Sequence, residues 1–192
     1  MANLTILRTY ALRVPESFPK SILYSHTESA LAIFDAYPKS IFHFLVLPRV
    51  REPLTIGDLA DLRTLMRKDV AHAKEVIQGL ATVAESLKQD IEEEMIKRYG
   101  FKWNIWIGFH GAPSMTCVLL MAILVRTMNL ESRHLHLHVL SADLCSEKMK
   151  NKKHYNSFHP KLGFFLDIDT VTSWFDATPS FRTSVRCCSL PQ

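Results

Sequence analysis

The sequence predicts an α+β fold, an antiparallel β-sheet with a long helix packed on it and a short helix at the N-terminus. Three observations predict it. Apolar residues recur at three- and four-residue steps from Leu62 to Met95, the period of a buried helix face. Short β-prone runs flank that region on both sides. The run His134-Leu-His-Leu-His-Val139 alternates strictly, so its even positions share one face of a strand and its odd positions the other.

Residues 2–12 read as a short helix that Pro15 stops. Residues 22–24 and 30–34 are β-rich and separated by a polar turn. Residues 41–47 form a third apolar run, which Pro48 ends, and Tyr37-Pro-Lys-Ser40 signals the turn before it. Residues 55–99 are helical, a short helix followed by a longer one. Leu62, Leu65, Met66, Ala73, Val76, Ile77, Leu80, Val83, Ala84, Leu87, Ile91 and Met95 form the apolar face. Lys74, Glu75, Lys88, Asp90, Glu92 and Glu93 form a solvated face without functional meaning, and Gly100 is a helix stop. Residues 103–109 alternate as a strand that His110-Gly-Ala-Pro-Ser114 breaks. After the histidine strand, Lys148, Lys150, Lys152, Lys153 and His154 read as a basic loop. Residues 164–168 read as a last strand, and the end shows no clear pattern.

With 192 residues and 47% hydrophobic content, the chain can bury a core as one domain, alone or with a small appendage. A net charge of +4 suits a phosphate-bearing partner without requiring one. Cys117, Cys145, Cys187 and Cys188 lack zinc-ribbon spacing and fit a reducing compartment. No continuous apolar core precedes Pro15, which argues against a secretory signal. No run approaches the roughly 20 apolar residues of a bilayer span, so no membrane partner is expected.

The histidine row allows three readings. Zinc needs three or four convergent ligands, and the sequence sets no carboxylate at a ligand-like spacing beside the row. A hydrogen-bonded ladder on an exposed sheet face is the structural alternative. Nucleophilic catalysis needs one imidazole whose second nitrogen is oriented by a neighbour, which alternating histidines supply. The row is read as a reaction centre.

The motif at 134–139 resembles the signature of the histidine-triad nucleotide hydrolases and transferases. Three further segments are similar to the aprataxin branch of that family: Asp35-Ala-Tyr-Pro-Lys-Ser-Ile-Phe-His-Phe-Leu-Val-Leu-Pro-Arg49, Gly108-Phe-His-Gly-Ala-Pro-Ser-Met115 and Lys150-Asn-Lys-Lys-His-Tyr-Asn-Ser-Phe158. The resemblance implies a histidine-triad fold and removal of AMP from adenylated DNA 5′ ends left by abortive ligation. It implies that His136 attacks the AMP phosphorus to form an adenylyl-histidine. By the same resemblance His138 bonds the phosphate and orients the nucleophile, and His110 protonates the leaving oxygen. Ser114 would bond a phosphate oxygen, His134 would be supporting, and Asp35 would bond the ribose hydroxyls of AMP. Cationic imidazoles and backbone donors would stabilise charge at phosphorus without a metal. Lys150, Lys152, Lys153 and His154 are expected to contact the DNA backbone, with Lys39 a similar candidate. His43, inside an apolar strand, reads as a satisfied core histidine.

The implied partners are nicked or 5′-adenylated DNA and AMP, the implied state a monomer, and the expected location the nucleus. The cytoplasm is an alternative, as is the mitochondrion, since residues before Glu16 are acid-free and include Arg8 and Arg13. A general histidine-triad hydrolase of small nucleotides and a catalytically impaired DNA-end binder are the other functional readings.

The chain departs from the family twice. Residues 116–133 separate Met115 from His134 where the family has one residue, and they include the apolar run 117–125. They read as a translated short intron, an atypical insertion within a catalytic domain over residues 1–185. Residues 186–192, with Cys187 and Cys188 adjacent, read as the remnant of a missing zinc finger. No cofactor and no structural zinc are expected, because two adjacent cysteines without following histidines cannot build a tetrahedral site.

Overall fold

The computed structural model describes residues 5–110, 134–150 and 152–177. Helix α1 (Thr5–Leu12) leads into strands β1 (Leu23–His26), β2 (Ala30–Phe34) and β3 (His43–Pro48). Helices α2 (Leu62–Met66) and α3 (Val70–Tyr99) follow, then β4 (Ile105–His110) and β5 (Leu137–Ser141). Helix α4 (Lys152–Phe158), β6 (Phe165–Asp167) and α5 (Ile168–Ser173) complete the described chain. The strands form one antiparallel sheet in the order β1-β2-β3-β5-β4-β6, so the predicted α+β architecture stands.

Helix α3 starts where the Asp69 carboxylate accepts the backbone N–H of Ala71 and His72, a cap that typically stabilises a helix by about 1 kcal/mol. It ends where Gly100 turns left-handed at φ 77°, a conformation that costs glycine nothing sterically. The face predicted to be apolar is the one it buries. Ala73, Ile77, Leu80, Ala84, Leu87, Ile91 and Met95 pack on Ala30, Ala32, Phe44, Val46, Leu135, Leu137 and Val139. Each fully buried Leu or Ile contributes roughly 2 kcal/mol to this layer.

Strand alternation sends the intervening residues to the opposite face. There Leu31, Ile33, Leu45 and Leu47 pack with Leu7 of α1. Leu140 packs with Phe158 of α4 and Phe165 of β6. The even-numbered histidines of the row share this second face, between the cluster under α1 and the cluster under α4. Register then sets their neighbours: Leu45, His138, Gly108 and Asp167 lie in one row across four strands.

Two expectations need correction. The basic stretch is a loop only up to Lys150; Lys152 and Lys153 begin α4, whose apolar Phe158 needs a partner in the core. The segment after β6, which showed no pattern, folds into α5, started by the Asp167 carboxylate on Asp169 N–H and held by buried Ile168 and Val171. Residues 116–133, with the reading of an insertion, and 186–192, with the reading of a zinc-finger remnant, lie outside the described residues. Among the described residues no helix is long and apolar enough to cross a membrane.

Candidate active site

Four imidazoles meet on the sheet face opposite α3. The ring centroid of His138 lies 4.9 Å from that of His136, 4.5 Å from His110 and 5.3 Å from His43. Three strands supply them: His43 opens β3, His110 closes β4, and His136 and His138 belong to the segment forming β5.

Their hydrogen bonds fix where the protons sit. The backbone N–H of Lys39 can only donate, and it donates to His43 Nδ1 at 3.0 Å. A neutral His43 therefore carries its proton on Nε2, which donates to His138 Nδ1 at 3.0 Å. His138 must then carry its own proton on Nε2. That atom is buried and has no hydrogen-bond partner among the described residues, and a buried donor left unpaired costs about 1–3 kcal/mol. His136 is set the other way. Its Nδ1 lies 2.8 Å from the carbonyl oxygen of His134, which can only accept, so Nδ1 is protonated and Nε2 is a free lone pair. Two adjacent rings thus present opposite valences, a donor and a nucleophile.

Aromatic packing holds this arrangement. Phe158 of α4 touches His43, His110 and His138, with centroids at 5.7, 4.4 and 5.3 Å. Phe165 crosses Gly108, where an added Cβ would stand 2.6 Å from the Phe165 ring and 2.5 Å from the Leu166 carbonyl oxygen. Only glycine lets β6 pass this close beside His138 and His110.

Burial sets the charge state. Desolvation lowers His43 to about 4, with Asp35 opposing the shift. His134 is lowered to about 4 by desolvation, opposed by its bond to Pro48. His110 reaches solvent at its edge, yet desolvation, followed by the His136 and His43 charges, lowers it to about 4. Desolvation also lowers His136 and takes His138 well below the ordinary histidine value. The imidazoles are therefore neutral at pH 7 in the free protein. Positive charge on these rings, as expected around the substrate phosphorus, requires an anion to enter first.

The remaining predicted residues separate into two groups. His134 is buried beside the row, its Nε2–H donating to the Pro48 carbonyl at 2.9 Å. Asp35 accepts the Tyr37 N–H at 2.7 Å, as a turn-forming aspartate does, and also stands 3.4 Å from His43 Nδ1. Lys39 folds back so that Nζ donates to the Tyr37 carbonyl. Lys150 and Lys152 are exposed, Lys150 just before α4 and Lys152 at its first residue. The His154 Nδ1 accepts the Lys150 N–H at 3.2 Å, so half of that ring serves the turn into α4. Ser114 and the Lys153 side chain lie outside the described residues.

Sequence reading undervalued His43. It is the buried, satisfied histidine expected, but its satisfaction is a bond to His138. The register of β3 against β5, His43 beside Leu140, creates that contact, and no local signal carries it. Asp35, His43 and His138 also bring potential metal-ligand atoms within 4.8 Å of one another. The donor set argues against a shared ion, because both His43 nitrogens are spent, one on Lys39 N–H and one on His138.

Comparison with known proteins agrees with the fold. The family described as scavenger mRNA decapping enzyme C-term binding matches residues 12–120. A HIT domain-containing protein of Dictyostelium discoideum is 29% identical over 177 residues, 92% of this chain and 38% of that protein. An aprataxin-like protein of Schizosaccharomyces pombe is 30% identical over 190 residues, 94% of this chain and 70% of that protein. The chain thus spans 38% of the length of the first relative and 70% of the second. The solved structure of the aprataxin ortholog Hnt3 in complex with DNA superposes with a TM-score of 0.59 at 24% identity, covering 97% of this chain and 86% of that one.

Proposed function

Because the chain belongs to the aprataxin-like branch of the histidine-triad proteins, and to the decapping-enzyme C-terminal family matched over residues 12–120, we propose that it removes AMP from adenylated DNA 5′ ends. The observation that carries this reading is the pair of opposite valences, a lone pair on His136 Nε2 beside an N–H on His138 Nε2 that has no partner among the described residues.

In the proposed reaction His136 Nε2 forms a bond to the AMP phosphorus. The phosphoanhydride bond to the DNA 5′-phosphate breaks, and the leaving oxygen takes a proton delivered through His110. Water then attacks the adenylyl-histidine, releases AMP and restores the free imidazole. Each displacement is easier than a single direct attack by water. His138 Nε2–H donates to a non-bridging oxygen, which gains negative charge in the transition state. The entering phosphates raise the pKa of the neutral rings, so the proton needed at His110 comes with substrate binding.

The basic residues support a nucleic-acid substrate. Phe158 seats α4 on the imidazoles, while Lys152 begins the same helix about 9 Å away along its axis. Lys150 and Lys152 are exposed there and suit the strand beyond the scissile phosphate. A second reading is a general hydrolase of nucleoside phosphoramidates or dinucleoside polyphosphates, favoured by the decapping-enzyme family match. We place the protein where such DNA ends arise, in the nucleus, as a monomer without a metal cofactor.

The test compares kcat/KM on 5′-adenylated nicked DNA with that on a small AMP amidate, using His136→Ala as control. A preference for the DNA supports the proposal, and a preference for the amidate supports the second reading. Equal binding of nicked duplex by wild type and His136→Ala, without AMP release, identifies an impaired DNA-end binder.

A further inference from the structure

The proton on His138 Nε2 depends on a peptide group outside the histidine cluster. The Lys39 N–H that caps His43 belongs to the same peptide plane as the Pro38 carbonyl. Ser146 Oγ donates to that carbonyl oxygen at 2.5 Å, and Lys148 N–H donates to Ser146 Oγ at 3.2 Å. The peptide is therefore pinned at both ends, by Ser146 at its oxygen and by His43 at its N–H. All donors point one way: Lys148 N–H, Ser146 Oγ–H, Lys39 N–H, His43 Nε2–H, His138 Nε2–H. Chains aligned in this way polarise each bond in turn.

The turn carrying Ser146 is itself fastened to the same loop. One oxygen of Asp143 accepts Ile41 N–H at 3.0 Å and Cys145 N–H at 2.8 Å. The other accepts Trp103 Nε1–H at 3.1 Å and the Ser141 hydroxyl. Ser141 Oγ also lies 3.1 Å from Phe42 N–H. The loop at Pro38–Phe42 is thus fixed on either side of the Lys39 N–H.

A competitor stands close by. Asp35 Oδ2 is 3.4 Å from His43 Nδ1, near enough to take a bond if that nitrogen were protonated. Should the Lys39 peptide tilt away, His43 would move its proton to Nδ1 and donate to Asp35. Its Nε2 would then accept from His138 Nδ1–H. His138 Nε2 would face the phosphate with a lone pair, and the oxygen it should bond would be repelled. No proton is gained or lost; each shifts across its own ring.

From this geometry we infer that Ser146 is a positioning residue of the active site, holding the peptide link between Pro38 and Lys39 so that His138 keeps its proton on the nitrogen that meets substrate phosphate. The catalytic part of this inference rests on the proposed adenylate hydrolysis, whereas the tautomer itself is a property of the free protein.

The experiment records the ring-nitrogen resonances of 15N-histidine-labelled protein without substrate, for wild type, Ser146→Ala, Ser146→Thr and Ser146→Val. Ser146 is partly exposed, so a larger side chain has room. Wild type and Ser146→Thr should show His138 protonated at Nε2. Ser146→Ala and Ser146→Val should show a population protonated at Nδ1. Thr and Val are nearly equal in volume, so their difference isolates the hydroxyl even if the alanine variant folds poorly. On adenylated DNA, kcat of Ser146→Val should fall roughly tenfold relative to Ser146→Thr, with KM changed less than about twofold. Unchanged nitrogen resonances across the series overturn the inference. Absence of AMP release by wild type, with the resonances shifting as stated, would instead overturn the hydrolase reading and leave Ser146 in its role.

Discussion

Acidification should destabilise this fold well above the pH at which its carboxylates titrate. His43 and His134 are 4% and 2% exposed and are lowered to about 4 from 6.5. A histidine held neutral in the fold stays neutral until the pH falls through its folded pKa, while in the unfolded chain it binds a proton below 6.5. Between these values the unfolded state holds more protons, so stability falls as the pH falls. For a histidine shifted from 6.5 to about 4, linkage gives a loss of about 1.4 kcal/mol at pH 5.5 and about 2.6 kcal/mol at pH 4.5. Two such residues together cost on the order of 5 kcal/mol at pH 4.5, comparable with the entire stability of many domains. His138 adds in the same direction. Asp58, lowered to about 2, loses its contribution only below its ordinary carboxylate value and does not act in this window. Urea unfolding followed by circular dichroism at pH 7, 5.5 and 4.5 measures the effect. The midpoint should fall stepwise at nearly constant slope. A midpoint unchanged between pH 7 and 5 would refute the placement of neutral imidazoles in the core.

Gly108→Ala should destabilise by about 1–3 kcal/mol, the usual cost of overpacking, because the new methyl meets the Phe165 ring and Leu166 carbonyl oxygen; thermal unfolding checks this, and AMP release should fall because β6 carries Phe165 away from His110. Lys150→Ala with Lys152→Ala should weaken nicked-DNA binding and make the salt slope shallower by about one to two, while hydrolysis of a small AMP amidate stays within about twofold. The acid limb of kcat/KM should lie below 6.5, since desolvation lowers His136 and its lone pair persists at that pH; an acid limb with its midpoint above 6.5 would contradict it. Prolonged chelation should leave AMP release unchanged, as both His43 nitrogens already have hydrogen-bond partners.

Local pattern carried most of the fold and part of the site. The three- and four-residue spacing from Leu62 to Met95 marks a face that must be buried, and strict alternation at 134–139 marks which residues share a side. Those signals depend only on chain neighbours. The role of His43 depends on antiparallel register: it meets His138 because Leu45 pairs with His138 across β3 and β5. Phe158 was legible as part of a motif, but its contact with three imidazoles arises only once α4 folds over the sheet. Ser146 had no signal at all. A lone serine in a polar turn looks the same whether it faces water or pins a peptide more than one hundred residues away. Neutrality of the imidazoles was likewise hidden, because desolvation is a property of the packed molecule.

The most direct measurement is intact-protein mass spectrometry after brief incubation with 5′-adenylated nicked DNA, quenched in alkali, where a phosphorus–nitrogen bond survives. Wild type should gain the mass of one adenylate, located on His136 by fragmentation, and His136→Ala should gain none. An adenylate that persists in His136→Ala, or AMP release by that variant at the wild-type rate, would contradict nucleophilic attack by this ring.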